Sequence, residues 1–134
     1  MKFVVVNLDR FSLSVGRYKY PDHYYSLYDT EPKLPVKWMA PESLEREPPV
    51  YDIKTNSYTY GIVIWEVMSR GLVPYGDVPE VDLLMYVKSG RRMDRPECCP
   101  NELYDIMIRC WYLGPDTRPE FSQLVDEIDI KMII

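Results

Sequence analysis

Between Asn101 and Met132 apolar residues recur with a helical period. Leu103, Ile106, Met107, Cys110 and Trp111 fall at i, i+3, i+4, i+7 and i+8, which is one face of an amphipathic helix. Gly114 and Pro115 close it. Phe121, Leu124, Val125, Ile128 and Met132 make a second stripe, with Pro119 placed to open that helix. A shorter stretch over 82–89 sets Leu83, Leu84 and Val87 on one side and ends at Gly90. The segment 56–69, NSYTYGIVIWEVMS, has another pattern. From Tyr58 to Met68 it is apolar almost all round, so it predicts a helix buried on every side, the centre of a larger fold. Gly71 suits the left-handed position just past its end. Few other elements are available to surround such a helix.

Upstream the periodicity stops. Phe3–Val6 is too short for the apolar region of a signal peptide and runs into Asn7, Asp9 and Arg10, so residues 1–6 read as a short buried strand. Residues 7–41 keep no period and carry many tyrosines and prolines. An irregular segment of that length in a compact domain is usually functional or mobile. Its end, KLPVKWMAPESL (33–44), is apolar at Leu34, Val36, Trp38, Met39 and Ala40, yet Pro35 and Pro41 forbid a helix through it. This is a rigid, apolar loop. Pro41 and Glu42 then suit the first turn of a short helix, because proline lacks the orphan N–H and glutamate complements the dipole. Pro48 and Pro49 end it.

Composition narrows the classes. The chain has 134 residues, 46% hydrophobic and 28% charged, so it is globular and soluble rather than disordered. A net charge of −5, with no basic helix face, argues against nucleic acid as a partner. Cys98, Cys99 and Cys110 are an odd set with an adjacent pair, a poor disulfide framework, and free thiols fit a reducing compartment. A metal site lacks ligands, since His23 is the only histidine. No apolar run reaches membrane-spanning length.

Five segments, in order, resemble the C-terminal lobe of a protein tyrosine kinase: KLPVKWMAPESL, TYGIVIWEVMSRG, PYGDV, GRRMDRPECCPNELYDIMIRCW and DTRPEFSQLVDEI. The likeness covers about residues 9–129. Its SRG, GRR and ELYDIM wording is most similar to receptor kinases of the hepatocyte growth factor receptor type, with the Axl and Mer group next. The resemblance implies a mainly α, partial protein-kinase-like fold over 1–134. An activation segment with a substrate-platform loop would occupy about 9–44, and a helical C-lobe 45–134, with at most a short N-terminal strand. The parent reaction would be ATP-dependent phosphorylation of protein tyrosine, using magnesium. The setting would be the cytoplasm, as the intracellular part of a single-pass receptor.

Particular residues inherit roles from the resemblance. Leu34, Pro35, Val36, Lys37, Trp38 and Met39 match the loop that receives the substrate tyrosine and the residue after it. Lysine at 37 is typical of the tyrosine-specific branch. Such a platform has to be stiff, because near-attack geometry loses rate when misplaced by about an ångström. Trp38 is equally well a plain core residue, and both readings can hold. Glu42 would pair with Arg118, fixing a loop to a helix rather than adding net stability. Tyr20, Tyr24 and Tyr25 have the Y-x-x-x-Y-Y spacing of activation-loop phosphorylation sites, where an upstream tyrosine kinase would add charge and order the loop. Their plain reading is surface tyrosines.

The resemblance also has gaps. Within these residues there is no G-x-G-x-x-G loop, no strand lysine with its glutamate partner and no H-R-D-x-x-x-x-N loop. Asp9 stands in a degenerate D-F-G motif, interrupted by Arg10 and with Ser12 in place of glycine. It is a candidate magnesium ligand or an ordinary loop aspartate. Asn56 occupies the place where the family begins its central helix with an aspartate, and Tyr58 stands where tryptophan is usual. The expectation is a chain that binds no ATP or other cofactor by itself and performs no phosphotransfer. Its central helix would keep an apolar face that upstream elements cover in a whole kinase. Two alternatives stand beside this one: a non-catalytic interaction or substrate module derived from a kinase lobe, and an incomplete gene model.

Overall fold

The computed structural model describes residues 35–46 and 49–133. The strand expected over 1–6 lies outside them. Among the described residues five α-helices follow in order: α1 Pro41–Glu45, α2 Ile53–Met68, α3 Leu83–Lys88, α4 Asn101–Cys110 and α5 Phe121–Ile133. Single 3-10 turns at Val36–Trp38, Glu80–Asp82 and Pro115–Thr117 punctuate the connections. The fold is mainly α, as the periodicity and the resemblance both predict, and the described residues contain no strand.

Helix α2 is the axis of the structure. A capping box starts it: the Asp52 carboxylate accepts the N–H groups of Lys54 and Thr55 at 2.9 Å, and the Asp52 N–H donates to Thr55 Oγ1 at 2.7 Å. Asn56 therefore does not open the helix as expected. It is the fourth helical residue, its N–H already bonded to the Asp52 carbonyl at 3.0 Å. The end of α2 also differs by one residue. Arg70 takes the left-handed position after Ser69, at φ 62, and Gly71 follows at φ 89. Their N–H groups return to Val67 and Glu66 at 3.1 and 2.8 Å, the paired bonds of a Schellman ending.

The face of α2 carrying Tyr58, Ile62 and Trp65 is buried. Helix α4 packs across it through its Leu103–Ile106–Met107–Cys110–Trp111 stripe, all of it buried. Burying each of those large side chains contributes about 1.5–3 kcal/mol. Gly61 sets the closeness of the crossing: a Cβ there would lie 2.7 Å from both Cys110 Cβ and Trp111 Nε1. Leu83 and Val87 of α3, and Leu124 of α5, complete the core. Pro119 lies two residues before α5 instead of opening it.

Burial on every side of α2 does not hold. Tyr60, Val63, Ile64 and Met68 are only half-buried, and Val67 is 41% exposed. The packed helices cover one side. The other is an apolar strip that the described residues leave partly open, apart from the edge of Phe121 against Tyr60, with ring centroids 5.4 Å apart.

Candidate functional site

The proline-braced loop lies on α2. All of Pro35–Pro41 is buried, and Trp38 is fully so. Proline at 35 and 41 blocks continuous helix, so the chain closes one 3-10 turn, with Trp38 N–H on the Pro35 carbonyl at 3.0 Å and Met39 N–H on the Val36 carbonyl at 3.2 Å. Three bonds then pin this turn from beneath. The Trp38 indole N–H donates to Glu66 Oε1 at 3.1 Å, and the Trp38 carbonyl accepts the Thr59 hydroxyl at 2.8 Å. Lys37 Nζ donates to the Tyr75 carbonyl at 3.1 Å.

Glu66 and Thr59 were not singled out in the sequence. They are seven residues apart on α2, two turns along one face, and that face meets Trp38. Two polar residues at that spacing within the otherwise apolar run 58–68 are the available signal.

A second anchor lies at the loop's other end. Pro41 opens α1 at its first position and Glu42 follows. The Glu42 carboxylate receives both terminal nitrogens of Arg118, at 2.7 and 2.8 Å. Arg118 is buried, and its five N–H donors are all used. Beyond Glu42 they reach the carbonyls of Tyr112 at 2.8 Å, Lys54 at 3.0 Å and Leu113 at 3.4 Å. The guanidinium also stacks over Tyr58, 5.2 Å from its ring centre. Helix α2 grips the same strand of chain directly, with Lys54 Nζ on the Arg118 carbonyl and Ser57 Oγ on the Pro119 carbonyl, each at 2.9 Å. One arginine thus ties α1, α2 and the entry to α5 together.

The described residues bring Pro35–Met39, Glu42 and Arg118 into one assembly around α2, with Asn56 a turn away on the helix. Leu34, Asp9, Tyr20, Tyr24 and Tyr25 lie outside the described residues. Among those described, no three histidine, cysteine or carboxylate side chains are grouped to hold a metal ion. The described residues contain no glycine-rich run. A separate cleft of about 770 Å³ opens beyond Tyr75, walled by Trp65, Tyr86, Met93 and Cys98. The thiols differ sharply in setting. Cys98 is exposed, whereas burial pushes the Cys110 thiol up to about 12 and raises that of Cys99.

A helical lobe built round one central helix, with a proline-braced loop and an arginine–glutamate clamp, defines a kinase-like C-terminal lobe. The family model for protein tyrosine and serine/threonine kinases matches residues 4–128. The chain belongs to that family.

Proposed function

We propose that these residues form the substrate-platform half of a tyrosine-specific kinase lobe, of receptor type and acting in the cytoplasm. Pro35–Met39, with Leu34, would seat a tyrosine peptide, and Glu42 with Arg118 would hold the platform in register. The observation that carries this reading is the double anchoring of the loop: Trp38 onto Glu66 and Thr59, Glu42 onto Arg118. A peptide shelf needs a fixed base, and this loop has one at each end. ATP and magnesium belong to the parent reaction, and no step of it is assigned to the described residues. The polypeptide of 134 residues would not transfer phosphate alone. Incubating it with magnesium, labelled ATP and a tyrosine peptide should give no incorporation. Incorporation that disappears in Asp9→Ala would overturn the reading.

The half-open strip of Tyr60, Val63, Ile64 and Val67 supports a second reading, a non-catalytic interaction or substrate module derived from a kinase lobe. Treatment with an active tyrosine kinase should then modify Tyr20, Tyr24 or Tyr25. Absence of phosphate from 20–25 by peptide mapping would count against it.

A further inference from the structure

Tyr75 stands between the loop and the cleft, and its backbone is unusual. Its φ of 49 places a bulky aromatic residue in the left-handed region. Arg70 shares that feature, but there the helix ending requires it. No helix ends at Tyr75. Tyr75 lies inside the turn over 74–77, directly after Pro74, at a position where a turn calls for the positive φ that glycine or asparagine ordinarily supplies, and its carbonyl opens the next turn, closed by Val78 N–H at 3.0 Å. A bulky aromatic residue at such a position is strained, and strain of that kind persists only where the surroundings hold it.

The surroundings over-determine this conformation. The Tyr75 N–H donates to Met93 Sδ at 3.4 Å, and its ring stands edge-on to Tyr86 with centroids 5.9 Å apart. Its phenol is buried beside that of Tyr58. What the conformation accomplishes is the aim of the carbonyl. That oxygen uses one lone pair for Val78 N–H and the other for Lys37 Nζ. Lys37 is only 7% exposed, and among the described residues no carboxylate forms an ion pair with it. A desolvated ammonium needs a well-placed acceptor. Here a main-chain carbonyl supplies it, presented from the left-handed backbone of Tyr75.

We propose that Tyr75 is a positioning residue for the loop: its left-handed backbone aims the carbonyl that holds Lys37, and through Lys37 it sets Val36–Trp38. This rests on the platform reading of Pro35–Met39 for its functional meaning, though the coupling itself does not.

The test compares two substitutions in the full chain, reading acetylation of Lys37 by mass spectrometry against exposed Lys88. Glycine adopts positive φ without strain, whereas alanine does not. Tyr75→Gly should raise Lys37 acetylation by less than about threefold and Tyr75→Ala by about tenfold. A role in packing alone predicts the reverse order, because glycine leaves the larger void. Equal effects, or a larger effect in glycine, would overturn the proposal. Should both variants lose amide protection in α4, Met93→Leu replaces them. It conserves volume but removes the acceptor of the Tyr75 N–H. It should raise Lys37 acetylation by about threefold, and an unchanged value in a folded protein would overturn the proposal. Since acetylation needs neither peptide nor ATP, a failure here is distinct from a failure of the platform reading, which the phosphotransfer assay tests.

Discussion

Arg118 meets Glu42 through two parallel hydrogen bonds of 2.7 and 2.8 Å, across 76 residues of sequence. The pair is unevenly buried: the arginine side chain is wholly enclosed while the glutamate side chain keeps 19% exposure. Losing the arginine therefore strands three backbone carbonyls as well as a carboxylate. Arg118→Leu should destabilise the protein by about 3–5 kcal/mol, measured by urea unfolding. Arg118→Lys should recover less than half of that, because an ammonium lacks the planar fork. Full recovery by lysine would mean that charge alone matters.

Gly61 tests the helix crossing. Alanine is the better helix former by about 1 kcal/mol, so an open site would gain from the change. Here the new methyl would press on Cys110 Cβ and the Trp111 indole at 2.7 Å, and neither can yield without moving α4. Overpacking costs about 1–3 kcal/mol. The expected result is a net loss of up to about 2 kcal/mol, with the denaturant slope unchanged. A gain would show that the two helices have room to separate.

The cap of α2 is a smaller target with a sharper expectation. Asp52→Ala removes the acceptor for the Lys54 and Thr55 N–H groups. A loss of about 1 kcal/mol is expected in urea unfolding. Asn56→Ala, which leaves the capping box intact, should cost less.

Alkali should weaken the fold through buried thiol and phenol groups. Burial raises Cys110 from 9.0 to about 12 and also raises Tyr58 and Tyr75. Each is held protonated in the folded state, so between those values the unfolded chain binds fewer protons. Their contribution is complete below pH 9 and is lost as pH rises toward 12, by up to about 1.4 kcal/mol per pH unit for the one thiol. Unfolding midpoints measured from pH 8 to 11 should fall. Thiol titration at pH 8 should find Cys98 reactive and Cys110 silent until the protein unfolds.

How much of this was legible beforehand depends on the element. The stripe of α4 is complete in the sequence because its five apolar residues are all buried. The start of α2 was misplaced because Asn56 fits the position where the resembled family begins that helix. Asp52 with Thr55 three residues on was itself a readable cap, but threonine in place of glutamate or glutamine disguised it. Burial of α2 on every side does not follow from composition alone, which does not say which faces neighbours cover; Val67 and Ile64 are as apolar as Ile62 yet stay partly open, on the apolar face that the resemblance expects upstream elements to cover. In the loop, proline spacing and Trp38 announced rigidity. The partners that supply it, Glu66, Thr59 and Tyr75, are 21–38 residues away and no local pattern links them.

The loop can seat a peptide only as a fixed shelf. Hydrogen exchange read at single amides tests this directly. The Trp38, Met39 and Ser43 amides, bonded to the Pro35, Val36 and Ala40 carbonyls, should be protected to within about tenfold of Ile106 and Met107 in α4. In Arg118→Leu their protection should fall before that of α4 does. Exchange of these three amides at free-chain rates, while α2 and α4 remain protected, would contradict it.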